Sequence, residues 1–119
     1  MEYNEKMRWV LRSKIHRATV TKADPNYIGS ITIDEALVKK AGFWPGEKVL
    51  VASITSGKRL ETYILSGKKN SGVICMNGAT ARLIKKGELI IVMGFELTKK
   101  PIKAKNVLVE KNNRFVGFL

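Results

Sequence analysis

Gly29-Ser30 is the dipeptide of this sequence best suited to covalent chemistry on its own backbone. A serine hydroxyl can attack the carbonyl of the residue before it when the backbone is strained. A glycine at that place tolerates unusual φ/ψ and leaves the carbonyl sterically open. The resulting ester can undergo β-elimination to dehydroalanine, whose hydrolysis leaves a pyruvoyl group. The plain alternative is a glycine at a strand bulge, and the dipeptide alone does not separate the two. The same holds for other reactive side chains: a lone His16 in a strand is usually half-buried, Lys14 usually solvated, and Thr62-Tyr63 on a strand usually packing and surface. One histidine and one cysteine, Cys75, are too few for a zinc site, and a single cysteine forms no internal disulfide.

These residues must be positioned by many short elements. Arg8 to Val20 carries β-branched and apolar residues interrupted by Arg12, Ser13 and Lys14, which predicts one or two strands. Ala23-Asp24-Pro25-Asn26 predicts a turn, and Tyr27 to Ile33 an extended run. Thr32-Ile33-Asp34-Glu35 fits a capping box with Thr32 as N-cap, opening a short helix through Lys40 that stops at Gly42. Strands are predicted over 48–54, 59–65, 73–76, 89–95 and 106–109, with a last one over 115–119. A second short helix is predicted from Ala79 to Lys86, closed by Gly87. Residues 34–51 and 79–92 follow the same order of short helix, turn and apolar strand, ending in Gly46-Glu47-Lys48-Val49-Leu50-Val51 and Gly87-Glu88-Leu89-Ile90-Ile91-Val92. Two such copies predict a pseudo-symmetric domain of interlocked halves, and many short strands in a small chain predict a closed barrel without exposed edges.

A chain of 119 residues, 45% hydrophobic and 27% charged, has the length of one domain and the composition of a globular one. No apolar run reaches the ~20 residues that span a bilayer. The polar start, Met1 to Lys6, does not resemble a secretory signal, and a cytoplasmic location is expected. The net charge of +12 invites a nucleic-acid reading. However, 16 of the 22 basic residues are lysines scattered as pairs, such as Lys39-Lys40 and Lys85-Lys86. Dispersed lysines keep a protein soluble more often than they line a strand of nucleic acid, so no nucleic-acid partner and no membrane are expected. The positive field would also draw in a dianionic substrate.

Three blocks then carry a resemblance. Lys14-Ile15-His16-Arg17-Ala18-Thr19-Val20-Thr21 with Ala23-Asp24 and Tyr27-Ile28-Gly29-Ser30-Ile31-Thr32-Ile33-Asp34 form the first. Gly57-Lys58-Arg59-Leu60-Glu61-Thr62-Tyr63 is the second, and Ile74 to Arg82, with Asn77-Gly78-Ala79, is the third. In order and spacing they resemble the pyruvoyl-dependent aspartate decarboxylases over roughly residues 8 to 110. The resemblance implies a mostly β fold, a double-psi β-barrel with short helices, in a single domain over 1–119. It implies self-cleavage between Gly29 and Ser30 into a 1–29 β chain and a 30–119 α chain. Ser30 would become the covalent pyruvoyl group, which forms a Schiff base with the amine of L-aspartate, and the reaction would yield β-alanine and carbon dioxide for pantothenate (coenzyme A) biosynthesis.

By the same resemblance, Thr62 assists self-cleavage and Tyr63 gives a proton to the carbanion left by decarboxylation. Arg59 and Lys14 bind substrate carboxylates, while His16 and Tyr27 line the site. Asn77, with the backbone amides of Gly78 and Ala79, holds the cofactor's carbonyl. No metal is implied. The implied assembly is a homotetramer with sites between subunits, and a maturation helper protein is an open alternative to spontaneous cleavage. The sequence departs from the family pattern at Thr80, where alanine is common, at Ser56 before Gly57, where asparagine is frequent, and at Glu88, where aspartate is. The family-like part begins near Met7, so residues 1–6 are expected to be an extension and Met7 the natural start. A small basic DNA-binding barrel and a non-catalytic assembly subunit are the rival readings. Gly29-Ser30 and Thr62-Tyr63 at this spacing argue against the first. The second is weakened, though left open, because no key position is visibly lost.

Overall fold

Alternation of side chains across strands sets the architecture of residues 6–119, which the computed structural model describes. The expected extension lies outside them except for Lys6. The strands are β1 (Arg8–Thr19), β2 (Lys22–Asp24), β3 (Ser30–Asp34), β4 (Lys48–Ser53), β5 (Arg59–Gly67), β6 (Ile74–Asn77), β7 (Leu89–Thr98), β8 (Lys105–Glu110) and β9 (Arg114–Phe118). Helix α1 covers Glu35–Ala41 and α2 covers Thr80–Leu83. Ile31 and Ile33, Val49 and Val51, Ile74 and Met76, and Ile90 and Val92 recur at every second position and are all buried. They fill one core, each stabilising the fold by on the order of 2 kcal/mol.

The strands close into a ring. β1 pairs with β7, β7 with β4, β4 with β5, β5 with β3, β3 with β6, and β6 with β2. β2 follows β1 after only Val20 and Thr21, whose amides donate to Glu88 O and Ile74 O and carry the chain from β7 across to β6. The ring mixes parallel pairs (β3–β5, β2–β6) with antiparallel ones. Its two interlocked units, β3–α1–β4 and β6–α2–β7, make the mostly β, double-psi barrel that was expected. They meet where Val51 pairs with Val92, Leu50 with Met93 and Ala52 with Ile91. Val51 and Val92 are equivalent residues of the two sequence repeats, so a pseudo-two-fold axis passes through that pair.

Several local expectations are narrowed or corrected. Of the one or two strands expected over 8–20, the first option holds: a single 12-residue strand, with bulges between Leu11 and Ser13 and between His16 and Ala18; Arg17 takes a φ of 65° at the second. Ala23 and Asp24 belong to β2, and the turn begins only at Pro25. The N-cap of α1 is Asp34 rather than Thr32, which lies within β3. The Asp34 carboxylate accepts from the amides of Ala36, Asn70 and Gly72 at 2.8–2.9 Å. A threonine hydroxyl could not satisfy three donors in this way. Gly42 closes α1 in the left-handed conformation at φ 72°, as expected. Helix α2 is shorter than predicted because Ile84, fully buried, is already extended.

The chain's end is a hairpin added outside the ring, β8 running parallel to β1 and β9 antiparallel to β8. Buried Asn113 fastens it, accepting from Thr19 N at 2.7 Å and donating to the carbonyls of Thr19 and Gly72 at 2.8 Å. Among the described residues no helix is long and apolar enough to cross a membrane.

The Glu88 side chain ties the end of β4 to the turn before β7. Its carboxylate accepts from Ser53 Oγ and from Lys85 N. Burial pushes its pKa up, but the bonds from Ser53, Lys85 and Ser56, with the charge of Lys58, outweigh burial and hold it below its ordinary 4.5. A depressed carboxylate pKa stabilises the fold above the unfolded value and loses that contribution as pH falls through the folded value. Denaturant titrations of the wild type should therefore show stability falling as pH drops below about 4.5. In Glu88→Gln, part of that acid dependence should be missing.

Candidate active site

β3 and β6 form the floor of the site because their antiparallel register opposes Ser30 to Asn77 and Thr32 to Cys75. Ile31 and Ile33 of β3 point into the core, so Ser30 and Thr32 leave the sheet on the other face. Ser30 is nonetheless fully buried. Its hydroxyl donates to Ile28 O at 2.9 Å and accepts from Asn77 Nδ2 at 2.9 Å. The second hydrogen of the Asn77 amide goes to Thr32 Oγ1 at 2.9 Å, and Asn77 Oδ1 lies 3.0 Å from Cys75 Sγ.

Gly29 stands just outside β3, and a side chain there would meet nothing within 4 Å, so the space on that side of its Cα is open. Gly78 is the reverse case. At φ 68°, a Cβ on it would come within 2.6 Å of Gly29 Cα and 3.0 Å of Tyr27 O. Only glycine lets the 78 backbone press against the Tyr27–Gly29 segment. The Gly78 amide donates to Asp24 O at 2.8 Å, so in the uncleaved chain it is already committed. Thr80 lies beneath, its hydroxyl 2.8 Å from Asn77 O and 3.4 Å from Ser30 O. The hydroxyl that departs from the family pattern thus has a partner and touches the backbone of both central residues.

Tyr63 and Thr62 come from β5, which runs parallel to β3 with Ile64 beside Ile31. Tyr63 and Ser30 each precede this pair by one residue, so their side chains share the outer face. Arg59 is on the same face of β5, four residues back from Tyr63. Tyr27 is exposed on the loop before Gly29, and Ala79 is exposed at the start of α2. No hydrogen bond or ion pair among the described residues joins Thr62, Tyr63, Arg59, Tyr27 or Ala79 to Ser30.

Lys14 and His16 are not brought to this place. They lie on the outer face of β1, in register with Met93 and Ile91 of β7. Along the ring β1 is separated from β5 by β7 and β4, which places the two strands on opposite sides of the barrel. His16 has its Nδ1 buried without a partner. Burial, followed by the charges of Lys14 and Arg17, lowers its pKa, so the imidazole is neutral at pH 7.

Sequence reasoning missed Thr32, Cys75 and Asp24 as members of this network. Thr32 and Cys75 alternate with Ser30 and Asn77 along their strands, but only the register reveals that the four side chains meet. A cleft of about 620 Å³ between α1 and the β8–β9 hairpin contains none of the expected site residues. A groove of about 550 Å³ runs over the outer face, lined by Trp9, Lys48, Leu50, Glu61 and Phe95 among others.

Comparison with known proteins bears on this arrangement. A family model described as aspartate decarboxylase matches residues 6–116. An aspartate 1-decarboxylase of Neisseria meningitidis is 51% identical over 111 residues, covering 90% of this chain and 87% of the relative. One from Caldicellulosiruptor bescii is 52% identical with the same coverage. One from Corynebacterium efficiens is 48% identical over 115 residues, covering 93% of this chain and 85% of the relative. Among solved structures, the rationally designed mkDPBB_sym_86 protein matches 65% of this chain and 90% of its own with a TM-score of 0.49 and 17% identity.

Proposed function

The chain belongs to the aspartate decarboxylase family, and from that premise we propose that it is a self-processing, pyruvoyl-dependent aspartate 1-decarboxylase, a carboxy-lyase that releases carbon dioxide from L-aspartate and leaves β-alanine. The observation that carries the self-processing reading is Ser30 itself: a buried serine whose hydroxyl is held by Asn77 Nδ2, immediately after a glycine beside which the side-chain position is empty. The residues fit the group, because Gly78 presses the Tyr27–Gly29 segment against the site while the space beside Gly29 stays clear.

In the processing reaction Ser30 Oγ attacks the Gly29 carbonyl carbon, the C–N bond breaks, and the nitrogen takes up a proton, giving an ester and a free amine. Loss of the Ser30 Cα proton then breaks the Cβ–Oγ bond. Gly29 departs as a carboxylate that keeps the serine oxygen. Water replaces the nitrogen of the dehydroalanine, ammonia leaves, and residue 30 ends as the pyruvoyl group. The Asn77 amide supplies a fixed donor beside the attacking oxygen. Thr62, two residues before Ile64 on β5, is assigned the departing Gly29 carbonyl.

In the decarboxylation the pyruvoyl group supplies a ketone for the substrate amine and a conjugated carbonyl that accepts electrons. Arg59 holds a substrate carboxylate through its planar fork, and Lys14 adds a point charge. Tyr63 Oη carries the proton delivered to the substrate α-carbon, from the face it shares with residue 30. Neutral His16 and Tyr27 close the sides, and the Ala79 amide is available to the carbonyl of the group. The pathway served is pantothenate and coenzyme A biosynthesis.

Because β1 and β5 lie on opposite sides of one barrel, Lys14 and His16 reach the Ser30 face of a neighbouring copy rather than their own. The assembly assigned is a homotetramer. The exposed Trp9, Phe95 and Leu97 and the outer groove give that assembly apolar surface to bury.

Intact-mass spectrometry of the incubated protein tests the proposal. Fragments of 29 and 90 residues are expected, the larger lighter by one ammonia than a serine-started chain. A 119-residue mass that persists after warming and after incubation with cell extract, as a source of a helper protein, would overturn it.

A further inference from the structure

Asn77 meets Ser30 through an amide whose two ends have opposite hydrogen-bonding character. Ser30 spends its only hydroxyl hydrogen on Ile28 O, so toward Asn77 it offers lone pairs alone. The amide must therefore present nitrogen to the serine, and a rotation of 180° about its last bond would set oxygen against oxygen. Thr32 does not enforce the choice, since its hydroxyl can donate or accept. The group at the far end of the amide can. Cys75 Sγ lies 3.0 Å from Asn77 Oδ1, with both residues buried on the same face of β6. A thiol is a weak donor and a weak acceptor. Against the amide oxygen it donates its hydrogen, whereas against the amide nitrogen its sulfur could only accept, so the observed contact is the donating one and favours the oxygen at this end.

We propose that Cys75 is a positioning residue for self-cleavage, its S–H fixing the Asn77 amide so that Nδ2 holds the Ser30 hydroxyl beside the Gly29–Ser30 bond. This deepens the self-processing reading and rests on it. The thiol must keep its proton to serve, and burial, the dominant influence, raises its pKa. Lys22 opposes that rise, the Asp24 charge adds to it, and a backbone hydrogen bond with Asp24 opposes it. A thiolate here would accept instead of donate and would draw Nδ2 away from the serine.

The test follows self-cleavage from synthesis in cell-free translation, by intact mass, for the wild type, Cys75→Ala and Cys75→Ser. Melting temperatures of the same chains carrying Ser30→Ala, which keeps them uncleaved, are measured beside it. Cys75→Ala should cleave about three- to tenfold more slowly, the worth of one hydrogen bond. Cys75→Ser, which keeps a donor, should recover most of the rate, with melting temperatures of the two within a few degrees. If Cys75→Ala melts far lower, Cys75→Val, which fills the place without a donor, takes its part in the comparison. Equal rates for wild type and the donorless variant overturn the proposal, as does a serine variant as slow as the alanine one. A wild type that never cleaves between Gly29 and Ser30 instead overturns the self-processing reading, and the role of Cys75 falls with it.

Discussion

Ser30→Ala should remain a single chain of 119 residues through any incubation, and its decarboxylation of aspartate should fall to the uncatalysed rate. The expected loss is at least about 10⁶-fold, the low end of enzymatic acceleration, because the variant has neither a nucleophile to break the chain nor a source of the ketone. The fold should persist. Removing Oγ leaves one Asn77 hydrogen and the Ile28 carbonyl without their partner, at a cost of about 1–3 kcal/mol. Ile28 is on an exposed loop, where water can replace the lost donor. Circular dichroism should match that of the uncleaved wild type. A Ser30→Ala chain that still breaks after Gly29 would place the nucleophile elsewhere, and one that retains activity uncleaved would remove the pyruvoyl group from the mechanism.

The barrel was legible in this sequence because its signals are local. The Gly46-Glu47 and Gly87-Glu88 turns, each followed by an apolar strand, announce two equivalent halves, and Val51 and Val92 meet across their axis. The cap of α1 is not legible locally, because Thr32 and Asp34 are both good caps by type. What decides between them is that the loop of Asn70 and Gly72 brings two further amides to Asp34, contacts 36 and 38 residues away. Helix α2 is shorter than the helical composition of Ala79 to Lys86 suggests, because burial of Ile84 demands an extended return toward β7. At the site, the Gly29-Ser30 dipeptide was visible, but the network around Asn77 depends on register, which no spacing along one strand reveals.

The dispersed lysines have a structural counterpart. Lys39 pairs with Glu35 and Lys48 with Glu61, both at exposed positions where such pairs stabilise by at most about 1 kcal/mol. Arg12, by contrast, joins Glu47 and the Gly42 carbonyl and sits over Phe43. It closes the turn after α1 against β1 and so supports the outer face that carries Lys14.

Lys14→Ala and Arg59→Ala should each lose about 10²-fold or more in kcat/KM when made alone, as expected for removing one partner of a desolvated charge pair. Co-expressed in equal amounts, they should recover about a quarter of wild-type activity. The reasoning is geometric. Arg59 pairs with Ala52, Ala52 with Ile91 and Ile91 with His16, a path halfway round the ring. Outward-pointing side chains at its two ends diverge, so a Lys14 and an Arg59 that bind one aspartate belong to different copies. In a mixed assembly, a site that takes Lys14 from the Arg59→Ala chain and Arg59 from the Lys14→Ala chain is intact, and random mixing makes about one site in four of this kind. The double variant Lys14→Ala/Arg59→Ala, co-expressed with wild type, gives the same fraction of intact sites and calibrates the measurement. A mixture no more active than its two parents, with mixed tetramers verified by native mass spectrometry, would mean that both residues serve the same chain. The barrel would then have to bring β1 and β5 to one site by a route other than assembly.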